Sequence, residues 1–250
     1  YSQKLDELPD RFVLDLLRKF GDRVNDPSLQ RLTREFIPLT MGRRHGDPSR
    51  PWNYFNIRTI DANGEPYQYY EGNWRDIFQN WEALAISYPV GIESMICLFL
   101  NGITVDGFNP YRISSEGIDW EIIDSDGAWN NIGYWNDHQI IYLLKLLEYQ
   151  ICYDKKILIN FVDKPIFSYS NIPYRIKSFS DILDNPKDTI YFDFKEQNKI
   201  QDLVEKIGTD GRLLLNNNHE VYHVNMFEKI LVILLAKISN YIPGAGIWLN

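Results

Sequence analysis

Apolar residues along this chain recur mostly at three- and four-residue spacing, the period of a helix with one buried side. Phe12, Leu16 and Phe20 fall four apart with Val13 and Leu17 beside them, so an amphipathic helix is predicted over residues 9–20, ended by Gly21. The same spacing predicts helices over residues 73–87 and, after the break at Pro89, over 91–101. Three more follow over 136–149, 195–207 and 225–239. Alternating runs on either side of Asn63-Gly64 predict a β-hairpin at 54–70, and a second is predicted at 212–224 around Asn216-Asn217-Asn218. Residues 102–134 read as one long loop rich in Gly, Asp, Ser and Trp, and loops of that length in a compact domain usually carry function. The segment 153–193 is mixed and short-ranged. With no linker or low-complexity stretch, residues 1–250 read as a single domain, mainly α, with two short β-hairpins.

Composition narrows the classes. Apolar residues make up 44% of the chain, enough for a substantial core, and the net charge of −8 argues against a nucleic-acid partner. The one dense basic spot is Arg43-Arg44-His45 with Arg50. The longest apolar run, residues 230–236, is far too short for a membrane helix, so no membrane partner is expected. The compartment, cytoplasm or periplasm, stays open. Cys97 and Cys152 are too few for a disulfide framework and read as buried free thiols. The aromatic share, 14%, matters because Trp52, Trp74, Trp120, Trp129 and Trp135 fall in polar, loop-like sequence rather than in apolar runs.

His219-Glu220-Val221-Tyr222-His223 spells H-E-x-x-H, a zinc-protease pattern that works only on a helix, where residues four apart share a face. Asn225 followed by Glu228 forms a capping box, so the helix should begin after both histidines. An extended 219–223 would separate them by about 13 Å, too far for one zinc ion. The expectation is two polar hairpin residues, no metal site and no cofactor.

A stronger signal is internal. Gly72, Trp74 and Asp76 spell G-x-W-x-D, and Gly133, Trp135 and Asp137 repeat it, each time before an apolar helix. A partial copy, Gly246 and Trp248, follows near Asn250. Asn73 and Asn136 suit the N-cap, with Asp76 and Gln139 three residues on. An aspartate in the first turn is favoured by the helix dipole whatever its function. The tryptophan beside each one adds something a cap does not need. An indole face with a neighbouring carboxylate is what a sugar ring requires, one for its C–H face and one for its hydroxyls.

These stretches, "GNWRDIFQNWEAL" and "IGYWNDHQIIYLL", resemble the six-hairpin glycosidases and the related inverting glycoside phosphorylases. The resemblance implies an (α/α)6 toroid of twelve helices, with inner-helix entrances lining a sugar pocket. About six or seven helices are legible here, so an incomplete toroid is expected, resembling the family from about residue 40 onward. Arg75, Asp76 and Gln79 match a helix-opening segment that in the family binds the sugar nearest the cleaved bond. Asp137 and His138 match the next inner-helix entrance. Trp135-Asn136-Asp137 carries the letters of the phosphorylase general acid, although the order of elements would place that acid on a helix following "GAGIWLN".

Inverting cleavage of a glycosidic bond uses two carboxyl groups about 6.5–9.5 Å apart, and phosphorolysis replaces the base and its water with phosphate. Asp137 is the expected proton donor or sugar ligand. Asp119 and Glu121 are the reserve pair, since an extended 119–121 would aim both to one face around Trp120. Trp74, Trp120 and Trp135 are the expected sugar-stacking residues, Arg75, Asp76, Gln79 and His138 the polar ligands. Arg43, Arg44, His45 and Arg50 are the candidate anion site. The expected function is a glycoside hydrolase or phosphorylase domain acting on an oligo- or polysaccharide, with phosphate as co-substrate if cleavage is phosphorolytic. The alternatives are a non-catalytic carbohydrate-binding domain and a helical scaffold.

Overall fold

A computed structural model describes residues 8–9, 11–39, 41–42, 59–120, 140–185 and 188–239. The described chain is mainly helical, with small sheets. Helices α1 (Leu14–Val24) and α2 (Pro27–Glu35) precede strands β1 (Met41–Gly42) and β2 (Tyr70–Asn73). Helices α3 (Trp74–Ser87) and α4 (Ile92–Gly102) follow, joined by a 3₁₀ turn at Pro89–Gly91. Strands β3 (Arg112–Ser114) and β4 (Gly117–Asp119) lead to α5 (Ile140–Phe161). Strands β5 (Tyr174–Ile176) and β6 (Ile190–Phe192) flank α6 (Phe179–Asp184), and α7 (Phe194–Ile207) and α8 (Met226–Ser239) complete the series.

Helix α4 is buried along almost its whole length, and its polar Glu93, Ser94 and Asn101 are buried with it. It packs against α2, α3, α5 and α8, and α3 also packs on α5. Its face toward α3 carries the aromatic centre of the core. The Trp74 ring lies 4.8 Å from Phe78 and 5.3 Å from Phe99, and Trp81 lies 5.2 Å from Phe78 and 5.3 Å from Tyr70. Gly102 makes room for this: a Cβ there would come within 2.2 Å of the Trp74 ring.

The first helix differs from expectation. It runs to Val24, and Gly21 sits buried inside it, where an added Cβ would meet Thr33 Oγ1 at 2.2 Å. Gly21 therefore permits close approach of α1 to α2 rather than stopping the helix. The buried positions are Leu14, Leu17, Arg18, Phe20 and Gly21, whereas Phe12, Val13 and Leu16 are exposed. Arg18 and Arg34 join this pair of helices to α4 through Glu93, at 3.0 and 3.5 Å. Asp26 caps α2 by accepting from Leu29 N at 2.9 Å, with Pro27 opening the helix.

Of the hairpin expected at 54–70, residues 54–58 lie outside the described residues; the described part turns at Asn63-Gly64, and the second hairpin turns at Asn216-Asn217-Asn218. Tyr67 N donates to Thr59 O and Asp61 N to Glu65 O, with Gly64 at φ 84° in the turn. Tyr222 N donates to Leu214 O around a turn that places His219 at φ 62°. Asn225 Oδ1 accepts from Glu228 N at 2.9 Å, so α8 opens beyond both histidines and the H-E-x-x-H letters never share a helical face. Among the described residues, no group of three His, Cys, Asp or Glu side chains is placed to hold a metal ion, and no helix is long and apolar enough to cross a membrane. Cys97 is buried as expected, but Cys152 is exposed on α5.

Candidate functional site

The loop expected at 102–134 contains a β-hairpin. Strands β3 and β4 pair around Ser115-Glu116, and β3 also pairs with β2, whose end runs straight into α3. Register aligns Asn73 with Arg112 and Arg112 with Asp119 across three strands, with Glu71 opposite Ser114 in the adjacent row. Alternation sends Gly72, Ile113 and Ile118 to the opposite face, where the two isoleucines join the core. The sheet thus mounts a polar row on one side and closes the aromatic core with the other.

On the polar side, Arg112 binds two carboxylates. One amino group donates to Glu71 Oε1 at 3.2 Å and the other to Asp119 Oδ2 at 2.5 Å. The Tyr69 hydroxyl donates to Glu71 Oε2 at 2.8 Å. Burial lowers the Arg112 pKa, but the bond to Asp119 and the charges of Asp119 and Glu71 outweigh it, and the net shift is upward. Arg112 and Asp119 remain about one-third exposed, at 36% and 32%, so the pair is open to a ligand. Asn73 is 6% exposed and its side-chain oxygen has no hydrogen-bond partner among the described residues. A buried amide oxygen left unpaired is costly.

Helix α3 begins at this row. Its first amide, on Trp74, donates to Tyr111 O at 2.9 Å, and the Asn73 side chain does not cap the helix as expected. Arg75 and Gln79 share one helical face, four residues apart, with Gln79 exposed and Arg75 partly so. Asp76 is buried in the first turn, 4.0 Å from the Arg75 Nε. Arg75 and Asp76 open α3 directly after β2, and Asp119 stands on β4, two strands away across the sheet.

The tryptophans are another matter. Trp74 is 1% exposed and enclosed by Phe78 and Phe99, so it fills the core instead of offering a face to a sugar. Trp120 is 7% exposed; its Nε1 donates to Gln197 Oε1 at 2.6 Å and its ring carries the Arg212 guanidinium at 5.8 Å. The physical reason is alternation: Asp119 faces the polar row, so the next residue faces inward. Both indoles anchor the site's scaffold rather than its ligand. Arg43, Arg44, His45, Arg50, Glu121, Trp135, Asp137 and His138 lie outside the described residues.

Sequence reasoning missed Arg112, Glu71 and Tyr69. The signal was present: "YRI" and "IDW" flank Ser114-Ser115-Glu116-Gly117, a turn composition that closes a hairpin and sets Arg112 opposite Asp119. No protein-family model matches the chain, and the curated proteins contain no significant match to it.

Proposed function

We propose that this chain is part of a carbohydrate-active enzyme domain of glycoside hydrolase or glycoside phosphorylase type, with its helices belonging to an (α/α) toroid. The observation that carries the reading is the row Asn73–Arg112–Asp119 with Glu71, set at the entrance of α3 beside Arg75 and Asp76. Planar carboxylates, an amide and a guanidinium held on strands are suited to pairs of adjacent hydroxyls. Arg112 fixes both carboxylates in place, and each keeps lone pairs for a sugar's hydroxyl donors. A rigid mount keeps the geometry that glycosidic cleavage needs.

In this reading the row holds the sugar while a separate acid, Asp137 or an aspartate on a later helix, protonates the leaving oxygen. Phosphate, or a water whose proton passes to a second carboxylate, attacks from the opposite side of the ring as the leaving oxygen departs. One observation favours the non-catalytic carbohydrate-binding alternative as a second reading. Arg112 engages both Glu71 and Asp119, so the row can hold hydroxyls without any of its members taking part in cleavage, which is all a binding domain requires.

The test is an assay of the complete protein on oligosaccharides with and without inorganic phosphate, reading free sugar against sugar phosphate. Arg112→Leu should lower turnover and sugar affinity about tenfold or more, the loss expected when charged hydrogen-bond partners are removed. Unchanged turnover in that variant would refute the assignment of this row. Saccharide binding without turnover of any oligosaccharide would select the second reading.

A further inference from the structure

The opposite side of the sheet borders a cavity of about 340 Å³. Tyr70, Ile113 and Ile118, which alternate away from Glu71, Arg112 and Asp119, form part of its wall, and α2 supplies Arg31 and Glu35. Its volume lies at the small end of the range of about 300–1,000 Å³ typical of small-molecule sites. The polar groups converge on one guanidinium. Arg31 donates to Glu35 Oε2 at 2.9 Å and, through its other amino group, to both Asp210 oxygens at 2.7 and 2.8 Å. Asn101 Nδ2 donates to Glu35 Oε1 at 2.6 Å. Arg31 is 4% exposed, so this is a built cluster and not a pair of surface charges.

The cluster selects a class of ligand. An anion would meet Glu35, Asp210 and the nearby Glu116. A cation would have to approach a guanidinium already at bonding distance from both carboxylates. A carboxylate offers about four acceptor sites, and the bonds seen use two on Glu35 and two on Asp210, so both can still accept from neutral donors. Tyr70 and Phe36 supply apolar wall. We propose that this cavity is a second small-molecule site, separate from the polar row, that takes a neutral ring bearing several hydroxyls, held by Glu35 and Asp210 across Arg31. Its ligand shares chemistry with the substrate proposed above, but the site stands whether or not this chain takes part in cleaving a glycoside.

The complete protein is titrated calorimetrically with myo-inositol, D-glucose and D-xylose, and with cadaverine and inorganic phosphate as charged probes. Ser115 lines the cavity from the exposed β3–β4 turn, so Ser115→Trp obstructs it without entering the core. Glu35→Gln removes the charge while keeping its shape, and the far-ultraviolet circular dichroism of both variants reports their folding. The expected result is that one of the polyols binds, and that Ser115→Trp and Glu35→Gln each weaken a component of that binding about tenfold or more while Glu148→Gln, exposed on α5 and part of neither site, does not. Cadaverine or phosphate binding more tightly than all three polyols, or no polyol binding at millimolar concentration, would overturn the proposal, as would polyol binding insensitive to Ser115→Trp. Polyol binding lost in Asp119→Asn but kept in Ser115→Trp would overturn this site while upholding the polar row. The reverse pattern would uphold this site and count against the row.

Discussion

Lys229 is fully buried near the start of α8, at 0% exposure, and it allows a prediction with a worked magnitude. Its Nζ donates to Ile103 O at 2.9 Å and Ser168 O at 2.7 Å, and sits 3.6 Å from the centre of the Tyr169 ring. Burial is the sole cause of a pKa held well below 10.5. Lys229→Met keeps the length and most of the volume while removing the donor. Ile103 O retains the Ser170 amide at 3.2 Å, so the main loss is the donor to Ser168 O. One orphaned buried carbonyl costs about 1–3 kcal/mol. Against this stands the cost of burying the amine, which the variant does not have. Because the folded value is lowered, the unfolded chain holds this proton more tightly than the folded chain, so between the lowered value and about pH 10.5 the unfolded state holds more protons. Wild-type stability relative to the variant should therefore climb with pH, by up to about 1.4 kcal/mol per pH unit. Urea denaturation of both proteins from pH 7 to pH 9 measures this. A stability difference that stays constant over that range would show that Lys229 is charged in the folded protein and would refute the reasoning.

Other consequences are direct. Trp74→Ala should destabilise the fold by about 3–5 kcal/mol, the cost of emptying a buried aromatic site, as read by thermal or urea unfolding, whereas Trp74→Phe should leave saccharide affinity unchanged. Gly102→Ala should cost about 1–3 kcal/mol, because its methyl group would press on the Trp74 ring, and loss of near-ultraviolet circular dichroism should accompany it. Burial raises the Glu35 pKa against the opposing pull of Arg31, so the folded state binds this proton more tightly than the unfolded state. Wild-type stability relative to Glu35→Gln should accordingly fall as pH rises from the ordinary carboxylate range toward neutral, measured by urea midpoints at successive pH values.

The elements legible from sequence were those whose signals are local. Asn225 with Glu228 located the start of α8 to a residue, and Asn63-Gly64 located a turn, because caps and turns are satisfied by near neighbours. Spacing misplaced the first helix because Phe12 and Leu16 keep the helical period yet stay exposed, and Gly21 answers to Thr33 on another helix. The site was half legible. Arg75, Asp76 and Asp119 were singled out by the company of tryptophan, but that tryptophan turned inward. Polar surroundings in sequence do not reveal which side of a short strand faces solvent, and β3 and β4 are three residues each. Strand pairing brings Arg112 to Glu71, and packing between distant segments brings Asp210 to Arg31, the partner of Glu35 on α2; no single stretch encodes either.

Hydrogen exchange of the complete protein, with and without a saturating oligosaccharide, tests the central claim most directly. If sugar is held by the row at the α3 entrance, protection should rise in peptides covering residues 69–76 and 112–119 and should vanish in Arg112→Leu. Protection confined to other segments, or equal in wild type and Arg112→Leu, would contradict it.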